Sequence, residues 1–193
     1  MMMQLHFLLN TRELGIERHN VGAVVYCSGN IPFKEIVSQI PEVSECLNGF
    51  HTPIPKMFYS TYRVKEWDGK TTDGEQCIDL EDETINQDYA DFFGVEVLEG
   101  SMLDEKDGKN MVVINEAAVK TFGWTQPVGK KIDKLGRHYI VKGVIKNIYY
   151  NAPIHPVTPA IFFLPDNKQK SESRGHLIFK FKDLYGQCEE KFI

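Results

Sequence analysis

The run from Met111 to Ile148, "MVVINEAAVKTFGWTQPVGKKIDKLGRHYIVKGVIKNI", restricts the fold more than any other part of the chain. Its first four residues are β-prone and apolar. Asn115 then suits a helix N-cap, and Glu116 falls in the first turn, where the helix dipole favours an anion. Ala118 and Phe122 share one face four residues apart, and Gly123 is placed to stop the helix in a left-handed conformation. The helix between those caps is short. "WTQPVGKKI" turns back into a strand, "DKLGR" closes a hairpin, and "HYIVKGVIKNI" is the longest strand pattern in the chain. There Tyr139, Val141, Gly143 and Ile145 are expected on one face, with Ile140, Lys142, Val144 and Lys146 on the other. Strands joined by a short capped helix and a hairpin predict an α+β fold centred on sheet.

The remaining segments fit that expectation. "VGAVVYC" (21–27) reads as a strand. Phe33, Ile36, Val37 and Ile40 then recur as one face of an amphipathic helix, with Pro32 in its first turn and Pro41 at its end. "VSECLNGF" returns as a strand, so residues 21–50 form a β-α-β unit. "HTPIP" reads as a crossing between subdomains. "KMFYSTYRVKEW" and "EQCIDLED" are strands about the turn "DGKTTDG". Asp88 is expected to cap a helical turn that runs through Phe93, with Gly94 stopping it, and "VEVLEG" is a strand that ends at Gly100. "DEKDGKN" (104–110) is an exposed loop. "AIFFLP" and "LIFKFK" are further strands, the polar run 166–176 between them is the expected mobile loop, and "DLYGQCEEKFI" begins a helix.

Composition removes several functions. With 22 Lys and Arg against 27 Asp and Glu, the net charge is −5, the opposite of the basic excess expected of a nucleic-acid binder. No apolar run approaches the roughly 18 residues of a membrane span, and "MMMQLHFLL" lacks the features of a signal peptide. Cys27, Cys46, Cys77 and Cys188 contain no Cys-x-x-Cys pair and fit no zinc framework. They read as buried or half-buried thiols whose pairing the sequence leaves open.

The chemistry-bearing patterns also read as scaffold. Gly129-Lys130-Lys131 suggests phosphate binding. A phosphate loop, however, needs a Gly-x-x-x-x-Gly-Lys-Ser/Thr turn in front of a helix, and here the lysines follow the helix and precede a strand. No two of the six histidines sit three or four apart on a readable helix, so no metal site is expected. "YCSGN" lacks the glycine elbow of a nucleophilic serine. Glu81, Asp82 and Glu83 read as a solvated turn. No catalytic residue and no cofactor are expected. Trp67, Trp124, Tyr149 and Tyr150 border turns and are candidates for partner contact, with core packing as the alternative for each.

Three segments taken in order, "DYADFFGVEVLEGSML", "VVINEAAVKTFGWTQPVGKKI" and "YIVKGVIKNIYYNAPIHPVTPAIFFL", resemble the MacB-like periplasmic core domain of ABC transporter permeases with FtsX-like membrane halves. The resemblance rests on Asp91, Phe92, Phe93, Gly94, Leu98 and Gly100; on Asn115, Glu116, Ala117, Gly123, Pro127, Gly129 and Lys130; and on Gly143, Val144, Ile145 and Lys146. It is strong over residues 88–164 and extends weakly to Leu14-Gly15. The "GWTQPVGKKI" form is most similar to Bacteroidetes-type members. The resemblance implies two small α/β subdomains. A porter-like part would comprise residues 21–50 and 176–193, a sabre-like insert would span 51–175, and residues 1–20 would be a juxtamembrane stub. It also implies that the chain is a fragment, with membrane helices beyond its ends, at the periplasmic face of a bacterial inner membrane. The domain would transmit ATP-driven motion. Its partners would be the permease's own membrane part, a second permease copy, the ATPase indirectly and a periplasmic adaptor. A stand-alone extracytoplasmic ligand-binding module is the alternative.

Overall fold

A computed structural model describes residues 15, 20–27, 33–49, 61–68, 70–71, 77–134, 136–149, 156–165 and 174–182. The chain divides into two compact units. The larger comprises residues 1–17 and 54–165, and the smaller comprises 18–53 and 166–193.

The smaller unit holds β1 (Val21–Cys27), α1 (Phe33–Ser38), β2 (Val43–Gly49) and β12 (Arg174–Phe181). Its sheet order is β1-β12-β2, and both neighbours run antiparallel to β12. The expected β-α-β unit is therefore split, because its two parallel strands are joined only through a strand from the other end of the chain. Leu177 and Ile178 on β12, with Val43 and Leu47 on β2, are buried. The helix is shorter than its apolar spacing suggested. It ends at Ser38, and Ile36 and Ile40 are 51% and 40% exposed, so only part of the predicted apolar face is covered. β12 begins at Arg174, within the run expected to be loop. The rest of that run and the expected C-terminal helix lie outside the described residues.

The larger unit carries β3 (Thr61–Val64), β4 (Glu66–Trp67), β5 (Lys70–Thr71), β6 (Ile78–Thr84), α2 (Gln87–Phe93), β7 (Val97–Gly100), β8 (Met111–Asn115), α3 (Glu116–Phe122), β9 (Lys131–Lys134), β10 (Arg137–Ile145) and β11 (Ala160–Phe163). Its strands follow the order β3-β6-β11-β8-β10-β9-β4-β5, with β7 paired to β10. The sheet is mixed: β6 with β11 and β8 with β10 are parallel, and the other pairings are antiparallel. Only Lys65 separates β3, at one end of the strand path, from β4, next to last at the other, so the path is closed covalently and the sheet must curl. Inside the curl lie Val64, Leu80, Val112, Ile114, Ala118, Phe122, Ile132, Tyr139, Val141, Val144 and Ile161. Val113, Phe162 and Ile145 face the opposite way and are also buried, so the central strands are covered on both faces.

Three local expectations are corrected. Asn86, not Asp88, caps α2: its side-chain oxygen accepts the Tyr89 amide at 2.9 Å, while Asp88 occupies the first turn. Glu81, Asp82 and Glu83 are not a solvated turn. They lie in β6, paired with β11, and Glu81 and Glu83 are buried. On β10 the simple alternation fails between Val141 and Gly143, where the pairing to β8 slips by a bulge. The extra residue brings Val144 onto the same face as Val141, and both join the core.

Candidate functional site

The motif residues converge on the ends of α3 and on β10. Asn115 ends β8 and caps α3. Its Oδ1 accepts the amides of Ala118 and Ala160, each at 2.9 Å, and its Nδ2 donates to the Thr158 carbonyl at 2.9 Å. One buried side chain thus starts a helix and ties it to the approach to β11. Glu116 accepts the Asn147 amide at 2.9 Å, and the Asn147 Oδ1 accepts the Ala117 amide at 3.0 Å. Asn147 was not singled out from sequence, because its partners lie about thirty residues away and nothing local marks it. Gly123 closes α3 in the left-handed conformation, as Gly94 closes α2.

The Pro127-Gly129-Lys130 turn grips β10. The Gly129 amide donates to the Val141 carbonyl at 2.8 Å, and the Val141 amide donates to the Lys130 carbonyl at 2.9 Å. The Lys130 ammonium pairs with Asp68. These lysine and glycine groups are therefore engaged with the protein itself, in an arrangement of turn and strand. Farther along β10, Gly143 sits opposite Gly100 on β7. A side chain at Gly143 would place its Cβ 2.4 Å from the Ser101 carbonyl oxygen, and one at Gly100 would meet the Lys142 oxygen at 2.2 Å. Both obstacles are backbone, so the crossing requires two glycines. Val144 and Ile145 are buried beside it, and Lys146 reaches Glu96 at 2.9 Å. On α2, Phe92 and Phe93 are buried edge to face at 4.8 Å. Asp91 is exposed and accepts from Gln87, and Leu98 is exposed on β7.

Of the aromatic candidates, Trp124 stacks on Phe122 at 4.3 Å and 15°, and Trp67 lies 5.7 Å from the same ring. Both are partly buried against the core, and the Trp67 indole N–H is buried with no hydrogen-bond partner among the described residues. Tyr149 is half-buried, and Tyr150 lies outside the described residues. Cys46 and Cys77 are half-buried, and burial raises the Cys46 thiol pKa above its ordinary value against the opposing charge of Lys34.

An ion pair that sequence did not indicate holds the 104–110 loop. Lys142 on β10 bonds Asp107 at 2.5 Å, and both side chains are largely buried. Burial pushes the Asp107 carboxyl pKa up. The Asp104 backbone and the Lys142 ammonium outweigh that effect and hold it below the ordinary value. A cavity of about 140 Å³ is lined by Glu66, Trp67, Asp68, Lys131, Asp133 and His138. Among the described residues, no group of three or more His, Cys, Asp or Glu side chains is arranged to hold a metal ion. No helix among them is long and apolar enough to cross a membrane.

The family model of the MacB-like periplasmic core domain matches residues 52–183. No curated protein matches the chain. Among solved structures, the periplasmic region of MacB from Actinobacillus actinomycetemcomitans superposes with a TM-score of 0.51 at 18% identity, covering 96% of this chain and 85% of that one. A domain of a putative permease protein from Porphyromonas gingivalis gives 0.53 at 14% identity, over 89% and 78% of the two chains. The extracellular domain of the noncanonic ABC-type transporter YknZ from Gram-positive bacteria gives 0.51 at 14%, over 88% of each. These likenesses establish a shared fold, and the family match spans well over half of the sequence: the chain belongs to the MacB-like periplasmic core domain family.

Proposed function

We propose that this periplasmic domain of a MacB-like ABC transporter permease is a mechanical element. It passes ATP-driven conformational change from the membrane part of the permease to a second permease copy, to substrate or to a periplasmic adaptor. In this reading the smaller unit is porter-like and the larger is a sabre-like insert. One observation carries the proposal: β12 lies between β1 and β2, so the smaller sheet is built from segments on both sides of the larger unit. A displacement of β12 would act on both of its neighbours through backbone ladders, an unbroken one with β1 and one with β2 that slips between Lys180 and Phe181. The hydrogen bonds, caps and ion pairs at the motif residues hold the larger unit rigid, as a lever needs.

The test is to replace residues 54–165 with a short flexible linker in the whole permease, reconstituted with its ATPase. Transport should fall at least tenfold while ATP hydrolysis persists. Transport that continues unimpaired overturns the reading. So does micromolar ATP binding by the 193-residue chain in calorimetry.

A further inference from the structure

Val97 and Leu98 on β7 are 37% and 46% exposed, although the segment around them is well packed: Val95, Met102 and Leu103 are buried on either side. The cause is local. β7 runs antiparallel to β10, and the register slips so that Glu99 lies opposite Val144 and Val97 opposite Ile145. Leu98 is the extra residue of this bulge, and a bulge re-aims a side chain out of the regular alternation. The crossing at Gly100 and Gly143, where a side chain on either glycine would strike backbone, holds β7 tight against β10. Among the described residues β10 is the one strand that β7 pairs with, so the other edge of β7 has no strand to bond there. The charge around the apolar pair is of one sign. From Gln87 to Glu105 the chain has six acidic residues, Asp88, Asp91, Glu96, Glu99, Asp104 and Glu105, and no lysine or arginine. The lysines that β10 brings alongside are already engaged. Lys142 bonds Asp107, and Lys146 pairs with Glu96 at 2.9 Å and is drawn toward Glu116 as well. Glu99, next to Leu98, is exposed.

We infer that β7 is a docking edge for a short segment of another protein that carries basic and apolar side chains, the apolar ones seated on Val97 and Leu98 and a lysine or arginine against Glu99. Charge complementarity selects this occupant. An anionic lipid surface or a nucleic acid would be repelled by the carboxylates. A second copy of the chain would bring Glu96 and Glu99 against their own counterparts, like charge against like. Two apolar side chains and a carboxylate also make a footprint far below the roughly 800 Å² per partner of a stable interface, which suits a short segment and a transient contact. The inference gives the partner contact of the reading above a place, and rests on that reading only for the partner's being periplasmic.

The probe is a fluorescein-labelled ten-residue peptide of alternating lysine and valine, titrated with the 193-residue chain and read by anisotropy. It should bind at least tenfold tighter than the same peptide with glutamate in place of lysine, and at least threefold more weakly in about 300 mM salt than in about 50 mM. Leu98→Ser and Glu99→Gln should each weaken binding at least threefold. Ile36→Ser, at a comparably exposed apolar residue of the smaller unit, and Glu66→Gln should leave it unchanged. Amide shifts on adding peptide should centre on residues 96–101. Absence of binding overturns the inference, as do Leu98→Ser and Glu99→Gln variants that bind like the parent, or shifts centred elsewhere. If sedimentation shows a dimer that Leu98→Lys separates, the occupant is a second copy and the inference is likewise overturned. None of these readouts depends on transport, so failure of the docking edge and failure of the mechanical reading are separable.

Discussion

Replacing Asn115 with alanine should be among the most damaging single polar changes in the larger unit. The side chain is 2% exposed and makes three hydrogen bonds, to Ala118, Ala160 and Thr158. Alanine leaves two amides and one carbonyl without their partner, in a place where water enters only if the packing opens. Losing the N-cap alone costs about 1 kcal/mol. Each further buried group left unsatisfied costs about 1–3 kcal/mol, and partial relaxation recovers some of it. The expected loss is therefore about 3–5 kcal/mol, a large share of the 5–15 kcal/mol typical of a domain. Asn86→Ala is the internal control, because Asn86 supplies a cap bond to Tyr89 and one long, exposed bond to Asp88 at 3.5 Å, and is half-buried; about 1 kcal/mol is expected. Urea unfolding followed by tryptophan fluorescence is the suitable assay. The chain has two tryptophans, and both pack against Phe122 in the larger unit, so the signal reports that body. Asn115→Asp should fall between the two, because it keeps the acceptor while losing the donor to Thr158 and burying a charge. If Asn115→Ala costs no more than Asn86→Ala, the premise that the Asn115 network braces α3 and β11 is wrong.

Other changes separate steric from electrostatic contributions. Gly143→Ala should destabilise the larger unit by about 2 kcal/mol or more, since its Cβ would stand 2.4 Å from the Ser101 oxygen; a melting temperature unchanged within a degree would contradict the close crossing. Lys130→Ala should cost less than about 1 kcal/mol, because the Asp68 pair is over one-third exposed; a larger loss in the same urea titration would mean that the lysine does more than pair at the surface. The depressed Asp107 carboxyl contributes stability that is fully present above the ordinary carboxylate pKa of about 4 and is lost as pH falls through the lower folded value. Asp107→Asn should therefore lower stability at neutral pH and flatten its decline below about pH 4, and parallel stability curves for the two proteins would refute the assignment.

Where the sequence was legible, the determinants were local. Asn115 and Gly123 mark the ends of α3 because a cap is a bond between residues two or three apart, and Gly94 marks the end of α2 for the same reason. The neighbouring cap was misassigned to Asp88 because Asn86 and Asp88 are both acceptable cap residues. Only the backbone at Asn86, extended at φ −138°, decides between them. The buried Glu81 and Glu83 misled for a different reason. Three adjacent acids suggest solvent, and nothing in their own segment shows that β11, some eighty residues later, will pair with them.

The α+β class, both caps of α3, the C-cap of α2, the hairpin before β10 and the family were thus legible in the sequence alone, since each depends on side chains close in the chain or on a motif in order. Only the tertiary structure decided that β12 would split the first β-α-β unit, that the bulge at Gly143 would turn Val144 inward, and that Asn147 would join α3 to the rest of the larger unit. Those outcomes depend on which distant backbone groups become neighbours. A hydrogen-bond donor carries no local sign of an acceptor that arrives thirty or a hundred residues later.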